Sequence, residues 1–139
     1  DGSIMSRIDD KLDEIVTLHE ELMEDLPPEE VFLKKRVVRR GIEKTVQLIA
    51  DTIVDVALMI ISQEGFDRPQ DSRDAIKKLK EEGILTKNLA SKIQDFVSFR
   101  NLLVHRYVKV NKEEEYENID ENHKDILDFV RAIESFSKK

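Results

Sequence analysis

Residues 46–61 read VQLIADTIVDVALMII, a run too apolar for a helix with an ordinary wet face. Wound at about 3.6 residues per turn, it is greasy nearly all round, and Gln47, Asp51 and Asp55, spaced four apart, draw one narrow polar stripe down it. The two aspartates interrupt the run before it reaches the roughly 20 apolar residues that a bilayer requires. Such a helix packs in its own core along one side and against something else along the other, and a second copy of the chain is the simplest partner. Asp51 and Asp55 then have two readings: carboxylates at the wet edge of a bundle, or a carboxylate in a cleft that orients an arginine or a histidine.

Helices are expected on both sides of this run. Glu29 and Glu30 favour a helix N-terminus, so the central helix should run from there to about Glu64, with a bend at Gly41 and a stop at Gly65. Before it, Ile4, Ile8, Leu12, Ile15, Leu18 and Leu22 recur every three or four residues, the stripe of a first helix that Pro27-Pro28 ends. After it, Ser72 caps a short third helix that finishes at Glu82, with Gly83 as its left-handed stop. Thr86 caps a fourth, whose inward face is Leu89, Ile93, Phe96, Val97, Leu103 and Val104. A fifth begins after Asn111, which with Glu114 approximates a capping box, and buries Ile119, Ile126, Phe129, Val130, Ile133 and Phe136. The acidic run Glu113-Glu114-Glu115 reads as the first turn of that helix. No segment alternates as a strand would.

At 139 residues the chain is expected to form a single all-α domain over 1–139, large enough to bury a core without metal or disulfide. Asp1-Gly2-Ser3 reads as a cloning remnant. With no cysteine there is no thiol nucleophile, no disulfide framework and no thiolate zinc site, which suits a reducing cytoplasm. His19, His105 and His123 are far apart in sequence and none makes a His-x-x-x-His pair, so neither a metal nor a cofactor is expected. Neither a secretion signal nor a membrane span is read, and the expected location is cytoplasmic.

A net charge of −7 sets the average surface against nucleic acid but leaves room for one locally basic cleft. Lys34-Lys35-Arg36 with Arg39-Arg40 is one basic cluster and reads as a solvated helix face. Arg100 with Arg106 and Lys109 is the other. It lies in FRNLLVHRY, residues 99–107, where the fourth helix closes with polar groups set among its leucines. On a regular helix Asn101 and His105 share a face, whereas Arg100 and His105 lie about 140° apart. The last two can meet one ligand only if the helix loosens at its end or another chain closes the site. The bland alternative is a helix end with a snorkelling arginine and a histidine near the negative pole.

The joint pattern Arg100-Asn101-x-x-x-His105-x-Tyr107, at the close of a helix, resembles the HEPN superfamily and specifically its HepT-type toxin branch. RRGIEKTVQLIADTIVDVA (39–57) is similar to that family's long second helix, and AIKKLKEEGILTKNLASKI (75–93) to its short helix and connecting turn. The resemblance implies a four-helix up-and-down bundle with an additional short helix. It implies a homodimer whose interface cleft receives both copies of the motif, and a metal-independent endoribonuclease of a toxin–antitoxin pair, with RNA, and tRNA in particular, as substrate. Arg100 and His105 would be catalytic, with Asn101 and one of Asp51 or Asp55 supporting them. Tyr107 would accept AMP from a cognate nucleotidyltransferase antitoxin, MntA-like, and the added anion would silence the site. The residue types suit that chemistry: an imidazole ordinarily titrates near pH ~6.5 and can move a proton at neutral pH, and a guanidinium forks onto phosphate oxygens. Two other readings stand beside this one: a nucleotide- or nucleic-acid-binding member that holds phosphate without cutting, and a helical interaction module whose motif only caps the fourth helix.

Overall fold

A computed structural model describes residues 2–105 and 109–138, which form α1 (Gly2–Asp25), α2 (Glu29–Lys34), α3 (Arg36–Glu64), α4 (Ser72–Glu81), α5 (Lys87–Val104), α6 (Lys112–Asn122) and α7 (Lys124–Ser137). The four long helices α1, α3, α5 and α7 make the bundle. α3 lies at its centre against α1, α4 and α5, α7 packs on α1 and α5, and α2 and α6 meet one another at one end. The fold is an all-α bundle, with α4 as the short extra helix between α3 and α5.

The core is lined by the expected stripes. Ile8, Leu12, Ile15 and Leu22 of α1 face Val46, Ile49, Ile53, Val56 and Ile60 of α3, and Ile93, Val97, Ile126, Phe129 and Ile133 complete the interior. α3 is long and apolar enough to cross a membrane by length and composition alone, yet half of its most apolar window is buried inside the bundle. The other half includes Leu48 and Leu58, 39% and 42% exposed on its outer side.

Two expected helices are each broken in two, and both breaks are set by tertiary contacts. The central helix does not bend at Gly41, which sits inside α3; it breaks at Lys35, whose backbone is extended. Arg39, read from sequence as part of a solvated face, is buried and donates Nη1 to the carbonyls of Phe32 (2.9 Å) and Leu33 (3.0 Å). It thereby satisfies C-terminal acceptors of α2, while fully buried Phe32 draws α2 into the core. The fifth expected helix breaks at His123, whose Nδ1 lies 3.1 Å from Nε2 of buried His19 on α1. Burial and the neighbouring His123 both push the His19 pKa down, while the charge of Glu20 pulls it back up.

The remaining caps follow local chemistry. Asn111 Oδ1 accepts from the backbone N–H of Glu113 and Glu114, and Thr86 Oγ1 from that of Leu89. The cap of α4 is Asp71 rather than Ser72, which becomes the first helical residue; Asp71 Oδ1 accepts from Asp74 N–H at 2.8 Å. Gly83 stops α4 with φ +74°, a conformation in which a Cβ would be strained.

Glu115, inside the acidic first turn of α6, is not solvated but only 1% exposed. Burial pushes its pKa up from the ordinary 4.5 to about 9, and the adjacent carboxyl of Glu43 pushes the same way, while Arg39 and Lys112 pull back. The folded state therefore holds a proton that the unfolded chain has released, so the contribution of Glu115 to stability is full below about pH 4.5 and is lost as pH rises toward about 9. Glu115→Gln removes that dependence. Thermal melts should show the variant about 5 °C more stable than wild type at about pH 8.5, a shift worth ~1–2 kcal/mol, with the gap shrinking toward about pH 5. A gap independent of pH would show that Glu115 is already charged in the fold.

Candidate active site

α3 and α5 bring Arg100 and Asn101 of the motif to Asp51 and Asp55 of the polar stripe. Arg100 Nε donates to Asp51 Oδ1 at 2.8 Å, and Arg100 Nη1 to Asn101 Oδ1 at 3.3 Å. The guanidinium is 30% exposed and the carboxylate 49%, so water screens the pair and it contributes little to stability. Its effect is directional. Asp51 fixes the Nε edge and Asn101 one Nη1 hydrogen, and the other donors of the fork remain for an anionic oxygen. These groups line an open depression of about 370 Å³ floored by Ala50, Val54 and Val97, with Asp55 and Ser72 on its rim.

Of the two stripe carboxylates, Asp51 holds the arginine. Asp55 also borders the depression, but its carboxylate lies 3.8 Å from Lys11 Nζ of α1. His105 is placed differently. α5 ends at Val104 and His105 is its C-cap, φ −85° and ψ 82°, with its N–H donating to Asn101 O at 3.2 Å. The helix thus loosens where the regular-helix angle of about 140° had set Arg100 and His105 apart. The exposed His105 does not line the depression that holds Arg100, Asn101, Asp51 and Asp55. Tyr107, with Arg106, lies outside the described residues; Lys109 is exposed.

Val104, expected on the inward face of α5, is instead 42% exposed, because the helix is already ending there; Leu102 beside it is 45% exposed. On a regular helix Leu58 falls about 20° and Leu48 about 60° from Asp51. Exposed apolar side chains therefore stand on both helices that build the site.

Sequence reasoning missed what holds α5 in place. Arg73 of α4 donates Nη1 to Ser98 Oγ (2.6 Å) and to Gln94 O (3.0 Å), and Gln94 Nε2 donates back to Arg73 O (3.1 Å). These bonds anchor the turn just before Arg100, and no local pattern in the sequence announces a contact across so many positions. A second depression, also about 370 Å³, lies against Phe96 and Phe99 of α5, with His123 and the Lys92–Asp125 pair (3.6 Å) on its wall. It contains none of the motif residues. Among the described residues, no three His, Asp or Glu side chains gather as a metal site would need.

Comparison with known proteins bears on the family and the fold. A family model described as Ribonuclease HepT-like matches residues 12–133. A protein of Archaeoglobus fulgidus with a provisional RNase name is 30% identical over 64% of this chain and 67% of its own length. The mRNA nuclease HepT of Shewanella oneidensis is 26% identical over the same shares. Among solved structures, the tri-AMPylated Shewanella oneidensis HEPN toxin in complex with MNT antitoxin superposes with a TM-score of 0.87, at 21% identity, over 92% of this chain and 96% of that one.

Proposed function

The chain belongs to the HepT-like ribonuclease family, and from that premise we propose that it is the toxin of a HEPN/nucleotidyltransferase pair, a metal-independent endoribonuclease that acts in the cytoplasm as a homodimer. The observation that carries this reading is the Arg100 fork, oriented by Asp51 and Asn101 at the end of the helix that His105 caps. A phosphodiester seated on the fork has its developing negative charge met by a cation that is already in position. His105 takes the proton from a ribose 2′-hydroxyl as that oxygen attacks phosphorus, and protonation of the departing 5′-oxygen completes the step. The products are a 2′,3′-cyclic phosphate and a 5′-hydroxyl.

Pairing of two chains across the exposed leucines brings two motifs into one cleft, which supplies His105 to a phosphate held on Arg100 of either copy. Transfer of AMP from ATP to Tyr107 by the cognate antitoxin, with pyrophosphate leaving, sets a phosphate two residues from His105 and blocks the fork by charge and bulk. Structured tRNA is the substrate class we favour. The likeness to an mRNA nuclease supports the RNA-cutting part of this reading, and the likeness in fold to a HEPN toxin seen tri-AMPylated in complex with its antitoxin supports the silencing part.

The test is to incubate the purified protein and total tRNA with a chelator and to look for fragments ending in 2′,3′-cyclic phosphate. Identical fragments from wild type and His105→Ala would identify a contaminant and end the assignment. Asp51→Asn keeps an acceptor for Arg100 Nε but removes the charge that orients it. Cleavage should fall about tenfold, roughly the loss of one charge-assisted hydrogen bond, with the circular dichroism spectrum unchanged.

A further inference from the structure

The basic cluster at the start of α3 has no part in the chemistry above, and its arrangement is not that of a scattered solvated face. Taking Arg36 as zero on a helix of 100° per residue, Arg40 falls at about 40°, Lys44 at about 80° and Asp51 at about 60°. The three cations and the carboxylate that holds Arg100 thus share one sector of about 80° on the outer side of α3. All three cations are exposed, and none forms an ion pair with a described residue. Lys34 differs, being tied to Glu30 at 3.0 Å. Glu43, the acid closest to this row in sequence, is half-buried and faces Glu115.

Distance along the helix supplies the second half of the argument. At about 1.5 Å per residue, Lys44, Arg40 and Arg36 lie about 10, 16 and 22 Å from Asp51. Their steps of about 6 Å are on the order of the separation between successive phosphates of an extended nucleic-acid strand. A row of evenly spaced, unpaired cations on a chain of net charge −7 marks the place where a polyanion can approach.

We propose that Arg36, Arg40 and Lys44 form a phosphate track along α3 that leads a single RNA strand to the Arg100 fork. The proposal rests on the ribonuclease reading and adds to it a place where the strand is held beyond the bond that is cut. The track is sequence-blind, since exposed cations meet backbone and not bases.

The test measures binding separately from cleavage. In a His105→Ala background, a fluorescein-labelled single-stranded 20-mer is titrated at several KCl concentrations with the full chain, with and without Arg36→Ala, Arg40→Ala and Lys44→Ala together. Loss of three phosphate contacts should weaken binding about tenfold or more and lower the slope of log affinity against log salt by about 2, at roughly 0.7 per contact. Arg36→Lys with Arg40→Lys, which keeps the charges, should restore both. With His105 intact, the triple variant should cleave a trinucleotide as wild type does and a long RNA more slowly. Unchanged affinity and slope would overturn the proposal. So would a triple variant that keeps RNA but no longer binds the nucleotidyltransferase partner, which would assign the row to a protein. A protein that binds RNA through the track yet cuts nothing would support the track while the ribonuclease reading fails.

Discussion

His105→Ala is expected to reduce RNA cleavage by roughly 10²-fold or more, the usual contribution of a positioned general base, while the protein stays folded and binds RNA normally. His105 is exposed and lies one residue past the end of α5, outside the buried core. Its backbone N–H donates to Asn101 O, and alanine keeps that bond. Arg100→Ala should be equally inert for a different reason: it removes the cation that meets the transition-state charge and leaves Asp51 facing the substrate phosphate with nothing to offset it. Arg100→Lys discriminates further. A lysine keeps the charge but cannot hold Asp51 and fork onto phosphate at once, so rescue should be partial at best. Single-turnover rates with a defined RNA measure all three. A His105→Ala enzyme with more than about a third of wild-type activity would remove His105 from the chemistry, since a general base contributes far more than that.

Leu48→Glu together with Leu58→Glu should have a comparably large effect from outside the motif. Both leucines are already exposed, 39% and 42%, and glutamate is a good helix former, so the isolated chain should keep its helical spectrum. At an interface between two copies the same change buries carboxylates against apolar surface, a cost of several kcal/mol repeated on each chain. The pair should fall apart and cleavage should drop to background, although Arg100, Asn101 and Asp51 are untouched. Size-exclusion chromatography with light scattering, run beside the cleavage assay, separates this outcome from unfolding. A monomeric variant that cleaves at the wild-type rate would show that one chain carries a whole site.

How far the sequence reached depends on whether the cause of a feature lies near it in the chain. The stripes of α1, α3 and α7 were legible because three- and four-residue spacing is local, and so were the caps Thr86 and Asn111 and the left-handed stop at Gly83. The break at Lys35 was not: it follows from buried Phe32 and from Arg39 reaching back to the carbonyls of α2, and nothing marks Arg39 apart from Arg40 in the sequence. The break at His123 follows from His19, 104 positions away. The cap of α4 was placed one residue late, at Ser72 instead of Asp71, because both residue types cap helices well. At the site, the stripe of Gln47, Asp51 and Asp55 narrowed the choice to two carboxylates, and only the three-dimensional pairing with Arg100 and Lys11 distinguishes them. The inward placement of Val104 failed because it is the last residue of α5, where the side chain is 42% exposed.

The central claim is that two chains together make the catalytic cleft, and the most direct measurement is the mass of the active species. Sedimentation of the wild-type protein across a dilution series, with cleavage assayed at each concentration, should give a particle of twice the 16.2 kDa chain mass. Specific activity should fall in step as that particle dissociates. A particle of 16.2 kDa with undiminished specific activity at every dilution would contradict the account.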